Sequence, residues 1–146
     1  MKKIICFILC VTTLCGSLSV SVFAAGTEEN GVMPCYNNVG MTDSSFVIYS
    51  DGFAEVTVSY NGYSNITTSA KITIELQKRV LGLFWKTVDI GTADNKWIDY
   101  VSEPTYFNYY TVQLSDRGTY RAEIHYTIYG TAGPADEVED LLTYMY

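Results

Sequence analysis

The chain has 146 residues, 9 of them basic and 16 acidic, and its formal net charge is −7. A surface this acidic argues against nucleic-acid binding, which needs clustered Lys and Arg over phosphates, and against adsorption on anionic lipid. The length suits a single domain with a core of its own.

Residues 1–24 are predicted to be a secretory signal peptide. Lys2 and Lys3 give a positive start, IICFILCVTTLCGSLSV gives an apolar centre, and VFAA offers a peptidase site. Cleavage is expected after Ala24, with Ala25 as the neighbouring choice. Because the apolar run is shorter than the ~20 residues of a spanning helix, we expect a secreted, extracellular protein without membrane attachment after cleavage.

Residues 25–42 show no apolar period and are rich in polar and turn-forming residues, which predicts a flexible N-terminal arm. Removal of the signal peptide leaves Cys35 as the single cysteine, so an intramolecular disulfide is not expected. The thiol is either part of an intermolecular pair or a tolerated free group, and we favour the free group.

The rest of the chain, residues 43–146, is predicted to be one all-β domain. Short runs alternate apolar and polar residues and end at Gly, Asn, Asp or Pro, beginning with FVIYS, DGFAEVTVSYNGYS and AKITIELQKRV. The runs FWKTVDIG, YFNYYTVQL and LSDRGTYRAEIHYTIYG follow in order. A period of two is typical of half-buried strands, and this spacing favours a β-sandwich or barrel over an α/β fold.

The last segment, ADEVEDLLTYMY, is compatible with two structures. Its acidic start and the spacing of Val138, Leu141 and Leu142 would suit a helix. The alternation of Leu142, Tyr144 and Tyr146 instead favours a closing strand, which is the structure we expect.

The motif DRGTYRA resembles the start of strand F in immunoglobulin-like domains. Asp116, Gly118 and Tyr120 match the Asp-x-Gly-x-Tyr pattern, in which the tyrosine hydroxyl bonds back to the main chain as a tyrosine corner. The resemblance implies an immunoglobulin-like Greek-key β-sandwich of about seven antiparallel strands. Ala122 stands where antibody-type domains carry their second cysteine, so the disulfide of that family is not expected.

The overall pattern is also similar to small secreted proteins of Gram-positive bacteria that carry one immunoglobulin-like domain behind a signal peptide. Most of those proteins have no assigned function. The similarity therefore implies export and fold, and it implies no activity.

No catalytic or metal-binding set is predicted. The single histidine, His125, points outward in the strand phase that buries Ala122, and no nucleophile lies in a sharp glycine-flanked elbow. One histidine and one cysteine cannot supply the four donors of a structural zinc site. For Asp94, Asn95 and Asp99 in TADNKWID, a plain turn is favoured over a calcium loop. We expect no enzyme activity, metal or cofactor.

The aromatic residues are the remaining functional signal. The strand phases place Trp85, Phe107 and Tyr109 outward and Trp97 in a polar loop, where flat rings could contact sugars or protein partners. The alternative, which we slightly favour for the rings themselves, is that they are ordinary strand-forming residues covered by loops. The expected function is a secreted binding or interaction module for a protein or carbohydrate. The alternatives are a passive cell-surface or spore-coat component and, less favoured, a hydrolase using the acids of SDRG and ADEVED.

Overall fold

The computed structural model describes residues 36–146, and the predicted signal peptide and Cys35 lie outside this range. The described chain forms eight strands and contains no helix: β1 (Val39–Ile48), β2 (Phe53–Gly62), β3 (Thr67–Val80), β4 (Phe84–Thr87), β5 (Lys96–Val101), β6 (Thr105–Gln113), β7 (Thr119–Gly130) and β8 (Asp136–Met145). The predicted closing strand is confirmed as β8.

All strand pairs are antiparallel and form two sheets. Sheet A has the order β1-β2-β6, and sheet B has the order β4-β3-β7-β8. Strand β5 also pairs with β3, through Ala70 to Glu75, so β4 and β5 follow each other along one edge of β3. The expected all-β sandwich is confirmed, with eight strands instead of about seven.

The additional strand β5 corrects the interpretation of TADNKWID as a plain turn. Residues Lys96–Val101 continue this segment as a strand of sheet B, whereas Thr92 to Asn95 remain a loop. Short edge strands bury few of their side chains and therefore show little alternation of apolar and polar residues. The sequence pattern consequently did not predict this strand.

The core lies between the sheets and is built from alternate residues of the central strands. The apolar residues that alternate along DGFAEVTVSYNGYS and AKITIELQKRV are buried on β2 and β3. Each of them is 3% exposed or less: Ala54, Val56, Val58, Tyr60, Ile72, Ile74 and Leu76. On β7 the inward residues Ala122, Ile124, Tyr126 and Ile128 are fully buried. Strand alternation therefore fixes which face of each central strand meets the other sheet.

The first strand begins inside the predicted arm. β1 starts at Val39, and the preceding Asn38 is fully buried. The Asp136 carboxylate accepts hydrogen bonds from the backbone N–H groups of Asn37, Asn38 and Val39, at 3.1, 2.6 and 3.0 Å. Asp136 is 6% exposed, so the first acid of ADEVED is a buried anchor between β1 and β8, not part of a solvated charge run.

Within residues 36–146, no helix is long and apolar enough to span a membrane.

Candidate functional site

The segment DRGTY forms a tight connection before β7. The Tyr120 hydroxyl donates a hydrogen bond of 2.6 Å to the backbone carbonyl oxygen of Asp116, and the Tyr120 ring is 2% exposed. Gly118 has a φ of 154° and exchanges two backbone hydrogen bonds with Tyr146. Because a side chain at this φ would be strained, glycine suits the bend. The arrangement anchors the connection from β6 to β7, so its role is structural.

Trp85 points away from the core, but its ring is not free. The Arg121 guanidinium lies over it at 4.4 Å from the ring centroid, and that of Arg79 lies at 5.9 Å. The neighbouring Phe84 points to the other side of the strand and is still 65% exposed, because the end of the β3–β4 hairpin has no cover within the described chain. Trp85 is therefore a covered, half-buried residue and not the exposed aromatic that the strand phase predicted.

Trp97 also differs from its prediction, because it lies on β5 and packs against the core. Its ring stacks on Tyr110 with centroids 5.2 Å apart and an interplanar angle of 25°. Behind this stack, Asp99 Oδ2 accepts hydrogen bonds from the hydroxyls of Tyr106 and Tyr110. Burial, followed by the hydrogen bond to Asp99, raises the pKa of Tyr110 above its ordinary value. Trp97 and Asp99 thus connect β5, at the edge of sheet B, to β6, at the edge of sheet A. A shallow depression lined by residues 92–94 lies beside them.

The three residues considered for calcium serve different purposes. Asp99 holds the tyrosine hydroxyls, whereas the Asn95 side-chain oxygen accepts a hydrogen bond of 3.4 Å from the backbone N–H of Ile90. Asp94 lines the shallow depression. Asp94 and Asp99 both line this depression, whereas the Asn95 oxygen is used within its own loop.

Phe107 and Tyr109 are exposed, as the strand phase predicted, with 68% and 60% of their surfaces accessible. Both lie on β6, an edge strand of sheet A, and point away from the core. Each of the two rings lies at the end of a row of cross-strand neighbours on β2 and β1. Ser59 lies opposite Phe107 and Thr57 lies opposite Tyr109, and β1 continues the two rows with Asp43 and Ser45.

We call this surface the sheet A face; its members are Asp43, Ser45, Val47, Glu55, Thr57, Ser59, Phe107, Tyr109 and Thr111. None of the three strands of sheet A contains Lys, Arg or His. The face therefore combines two accessible rings, several hydroxyl groups and two carboxylates without a cation. Such a surface can stack against an apolar ring face and accept hydrogen bonds from hydroxyl donors.

On sheet B, the structure brings together one set of side chains that could hold a metal ion. Glu123, His125 and Glu139 offer ligand atoms that lie within 4.8 Å of one another, and His125 Nε2 is 3.1 Å from a Glu123 oxygen. His125 and Glu139 are cross-strand partners on β7 and β8. A neutral imidazole and two carboxylates would give three ligands, as in zinc sites that keep an open position. The sequence prediction missed this set because Glu139 meets His125 only through the strand register.

The acids considered for hydrolysis do not converge on a cleft. Asp116 precedes β7 and forms an ion pair of 3.2 Å with Lys78. Asp136 pairs with Ile128 near the other end of β7. Glu139 and Asp140 pair with His125 and Ile124 in the middle of β7, and none of the ADEVED acids lines the depression that Asp116 lines beside Lys78.

No protein family model matches the chain, and no curated protein and no solved structure matches it either. The functional assignment therefore depends on the chemistry of the surface alone.

Proposed function

We propose that the chain is an exported, immunoglobulin-like, non-catalytic binding module that holds a neutral carbohydrate on the sheet A face. The observation that carries this proposal is the pair Phe107 and Tyr109, 68% and 60% exposed beside rows of hydroxyl groups and without a neighbouring cation. A folded protein that leaves two adjacent rings in water exposes apolar surface that a ligand can cover.

The strand order supports the immunoglobulin-like assignment. Sheet A joins the first, second and sixth strands, and sheet B joins the third, seventh and eighth, which is the A-B-E and C-F-G arrangement of immunoglobulin folds. The hydrogen bond from Tyr120 to Asp116 adds the corner of that fold. The fifth strand departs from the pattern, because it joins β3 instead of β6. This shift leaves β6, with its two exposed rings, as an edge strand of sheet A.

The chemistry of the sheet A face favours carbohydrate over protein. Pyranose rings present C–H faces that stack on aromatic rings, and their hydroxyl groups donate to carboxylates such as Asp43 and Glu55. Protein interfaces are enriched in arginine as well as in aromatic residues, and the strands of sheet A contain aromatic residues but no arginine. An uncharged sugar is also attracted to this face without the cations that an acidic polysaccharide would require.

The non-catalytic role is supported by the placement of the acids and of His125. Asp116 precedes β7, whereas the acids of ADEVED lie on β8 opposite the middle and the far end of β7. His125 is exposed on the outer surface of sheet B. A general acid and base must reach one substrate bond from both sides. Asp43 and Glu55, the two carboxylates of the sheet A face, lie on one surface of one sheet and do not face each other across a substrate.

The test is binding of the chain to an array of neutral and acidic glycans, followed by titration calorimetry with the glycan that binds. Phe107→Ala and Tyr109→Ala should each weaken binding about tenfold, because each removes one stacking contact. Tyr100→Ala is the matched control, since Tyr100 is 78% exposed on a strand of the other sheet. Its affinity should stay at the wild-type level.

Three results would contradict the proposal, each in a different way. Release of reducing ends from the bound glycan would show a hydrolase. Capture of a protein partner that depends on Phe107, with no glycan bound, would show a protein-binding module. Absence of both glycan binding and protein capture would favour a passive surface component.

Mass spectrometry of the secreted protein tests the export, and an N-terminus at Ala25 is expected.

A further inference from the structure

The turn between β3 and β4 exposes a group of large apolar side chains. We call Val80, Leu81, Leu83 and Phe84 the hairpin tip; they are 38%, 84%, 74% and 65% exposed. Scattered apolar residues are common on protein surfaces, but four of them within five consecutive positions form a patch. The space beside the turn is open, because no heavy atom lies within 4 Å of the position of a Cβ on Gly82.

The backbone of the tip is strained at Leu81, whose exposed side chain packs little against the domain. Leu81 and Gly82 have φ angles of 53° and 69°, and the Leu83 N–H donates to the Val80 carbonyl at 3.1 Å. Two consecutive residues with positive φ are typical of tight hairpin turns, where Asn-Gly is the preferred pair. A branched residue such as leucine is disfavoured at positive φ, and Leu81 is almost fully exposed. Strain combined with exposure points to a role outside the fold.

The charges around the tip are opposite in sign to those of the whole chain. Residues 78–86, KRVLGLFWK, contain three cations and no acid, although the chain as a whole has a net charge of −7. Lys86 is exposed on β4, and Arg79 lies against Trp85 on the outer surface of the hairpin. Lys78 is partly neutralised by Asp116 at 3.2 Å. An approaching surface therefore meets the apolar side chains of the turn first and then Arg79 and Lys86 on the two strands behind it.

We infer that the hairpin tip binds an anionic phospholipid surface by inserting Leu81, Leu83 and Phe84 among the headgroups. Interfacial segments combine a Leu- and Phe-rich apolar side with Lys and Arg on the polar side, and the hairpin has both. With the tip inserted, Trp85 and the three cations would lie at the depth of the lipid headgroups, which aromatic and basic residues commonly contact.

The net negative charge of the domain does not prevent this contact. Charges farther than the ~8 Å screening length at physiological salt contribute little, so the local cations decide the electrostatic term at the tip. The acidic remainder instead keeps the rest of the domain away from the membrane. The predicted contact is thus a single point of attachment at one end of the sandwich.

The test is flotation of the full chain with vesicles of phosphatidylcholine alone and of phosphatidylcholine with an equal part of phosphatidylglycerol. The wild-type chain should float with the mixed vesicles and much less with the neutral ones. Leu81→Asn should reduce the partition coefficient about tenfold, because it removes one inserted side chain. Asparagine is preferred in this turn, so the variant should also unfold at a higher urea concentration than wild type, which separates lost binding from lost folding.

Two matched controls isolate the hairpin. Leu141→Asn makes the same change at a leucine that is 52% exposed on β8, and it should leave the partition coefficient within about twofold of wild type. Lys86→Gln should lower binding to the mixed vesicles only, whereas Lys71→Gln, near the opposite end of β3, should not. All variants carry the same N-terminal segment, so their differences report the hairpin.

Binding that is equal in Leu81→Asn and wild type would overturn the proposal, because the N-terminal segment or another surface would then hold the lipid. Equal binding to neutral and mixed vesicles would also overturn it. If no vesicle binds and Leu81→Asn abolishes self-association, the tip contacts a second copy and the lipid assignment is wrong.

Discussion

At the scale of single residues, Tyr120 offers the sharpest test of stability. Tyr120→Phe removes the hydrogen bond to Asp116 and should lower the free energy of unfolding by about 0.5–1.5 kcal/mol. Tyr120→Ala also leaves a cavity where a ring that is 2% exposed was packed, and it should cost about 3–5 kcal/mol. Urea unfolding measures both values. Tyr129→Phe, on the exposed side of the same strand, should change stability by less than about 0.5 kcal/mol; equal effects at the two tyrosines would contradict the corner.

The orientation of single residues could be predicted where they lie in the middle of long strands. Phe107 and Tyr109 alternate with the inward-pointing Tyr106 and Tyr110, so their exposure follows from the period of two. Trp85 and Trp97 could not be assigned in this way. Their surroundings come from residues distant in sequence, Arg121 over Trp85 and Tyr110 under Trp97, and a local pattern carries no information on such partners.

At the scale of elements, Asp136 links the start of β8 to the start of β1. Its carboxylate accepts three backbone N–H groups while 6% exposed. Asp136→Ala leaves these donors without partners and should cost about 3–5 kcal/mol, because breaking a buried charged interaction strands polar groups. Glu137→Ala, the next residue and an exposed one, should be nearly neutral. Chemical denaturation of the two variants checks the difference, and similar costs would show that Asp136 is not the anchor.

The elements near the edges of the sheets were the hardest to predict. β1 begins at Val39 because the buried Asp136 carboxylate fixes it, yet residues 36–42 have no apolar period. β5 is short and half-exposed, so its sequence lacks strong alternation. The metal-ligand set of Glu123, His125 and Glu139 depends on the register of β7 and β8. Alternation identifies strands and faces, whereas register and edge pairing are decided by tertiary contacts.

At the scale of the whole molecule, the surfaces have separate chemistries. The strands of sheet A carry no cation, and three cations cluster at the hairpin tip, which bears the exposed apolar residues. If both proposals hold, the hairpin would attach the domain to a lipid surface while the sheet A face takes a sugar chain. The Leu81→Asn and Phe107→Ala variants separate these roles, because each should weaken one binding activity about tenfold and leave the other unchanged.

The buried tyrosines of both sheets have raised pKa values, which should make the stability of the whole domain depend on pH in alkaline solution. Burial is the main cause that raises the pKa of Tyr60 to about 12 and the pKa of Tyr126 above its ordinary value. Since tyrosine in the unfolded chain titrates near pH 10, the folded state retains protons that the unfolded state loses above that pH. Their stabilising contribution is therefore complete below about pH 10 and is lost as the pH rises through the folded-state values.

The free energy of unfolding should fall above pH 10 by about 1.4 kcal/mol per pH unit for each tyrosine that deprotonates only on unfolding. Urea unfolding from neutral to strongly alkaline pH measures this slope, and phenolate absorbance shows which rings titrate. Tyr60→Phe should make the slope shallower between pH 10 and about 12, the window set by the raised pKa of Tyr60. Tyr100→Phe, at a ring that is 78% exposed, should leave it unchanged. A slope that is the same in wild type and Tyr60→Phe would show that the Tyr60 hydroxyl titrates alike in both states, and that it is not held protonated in the folded domain.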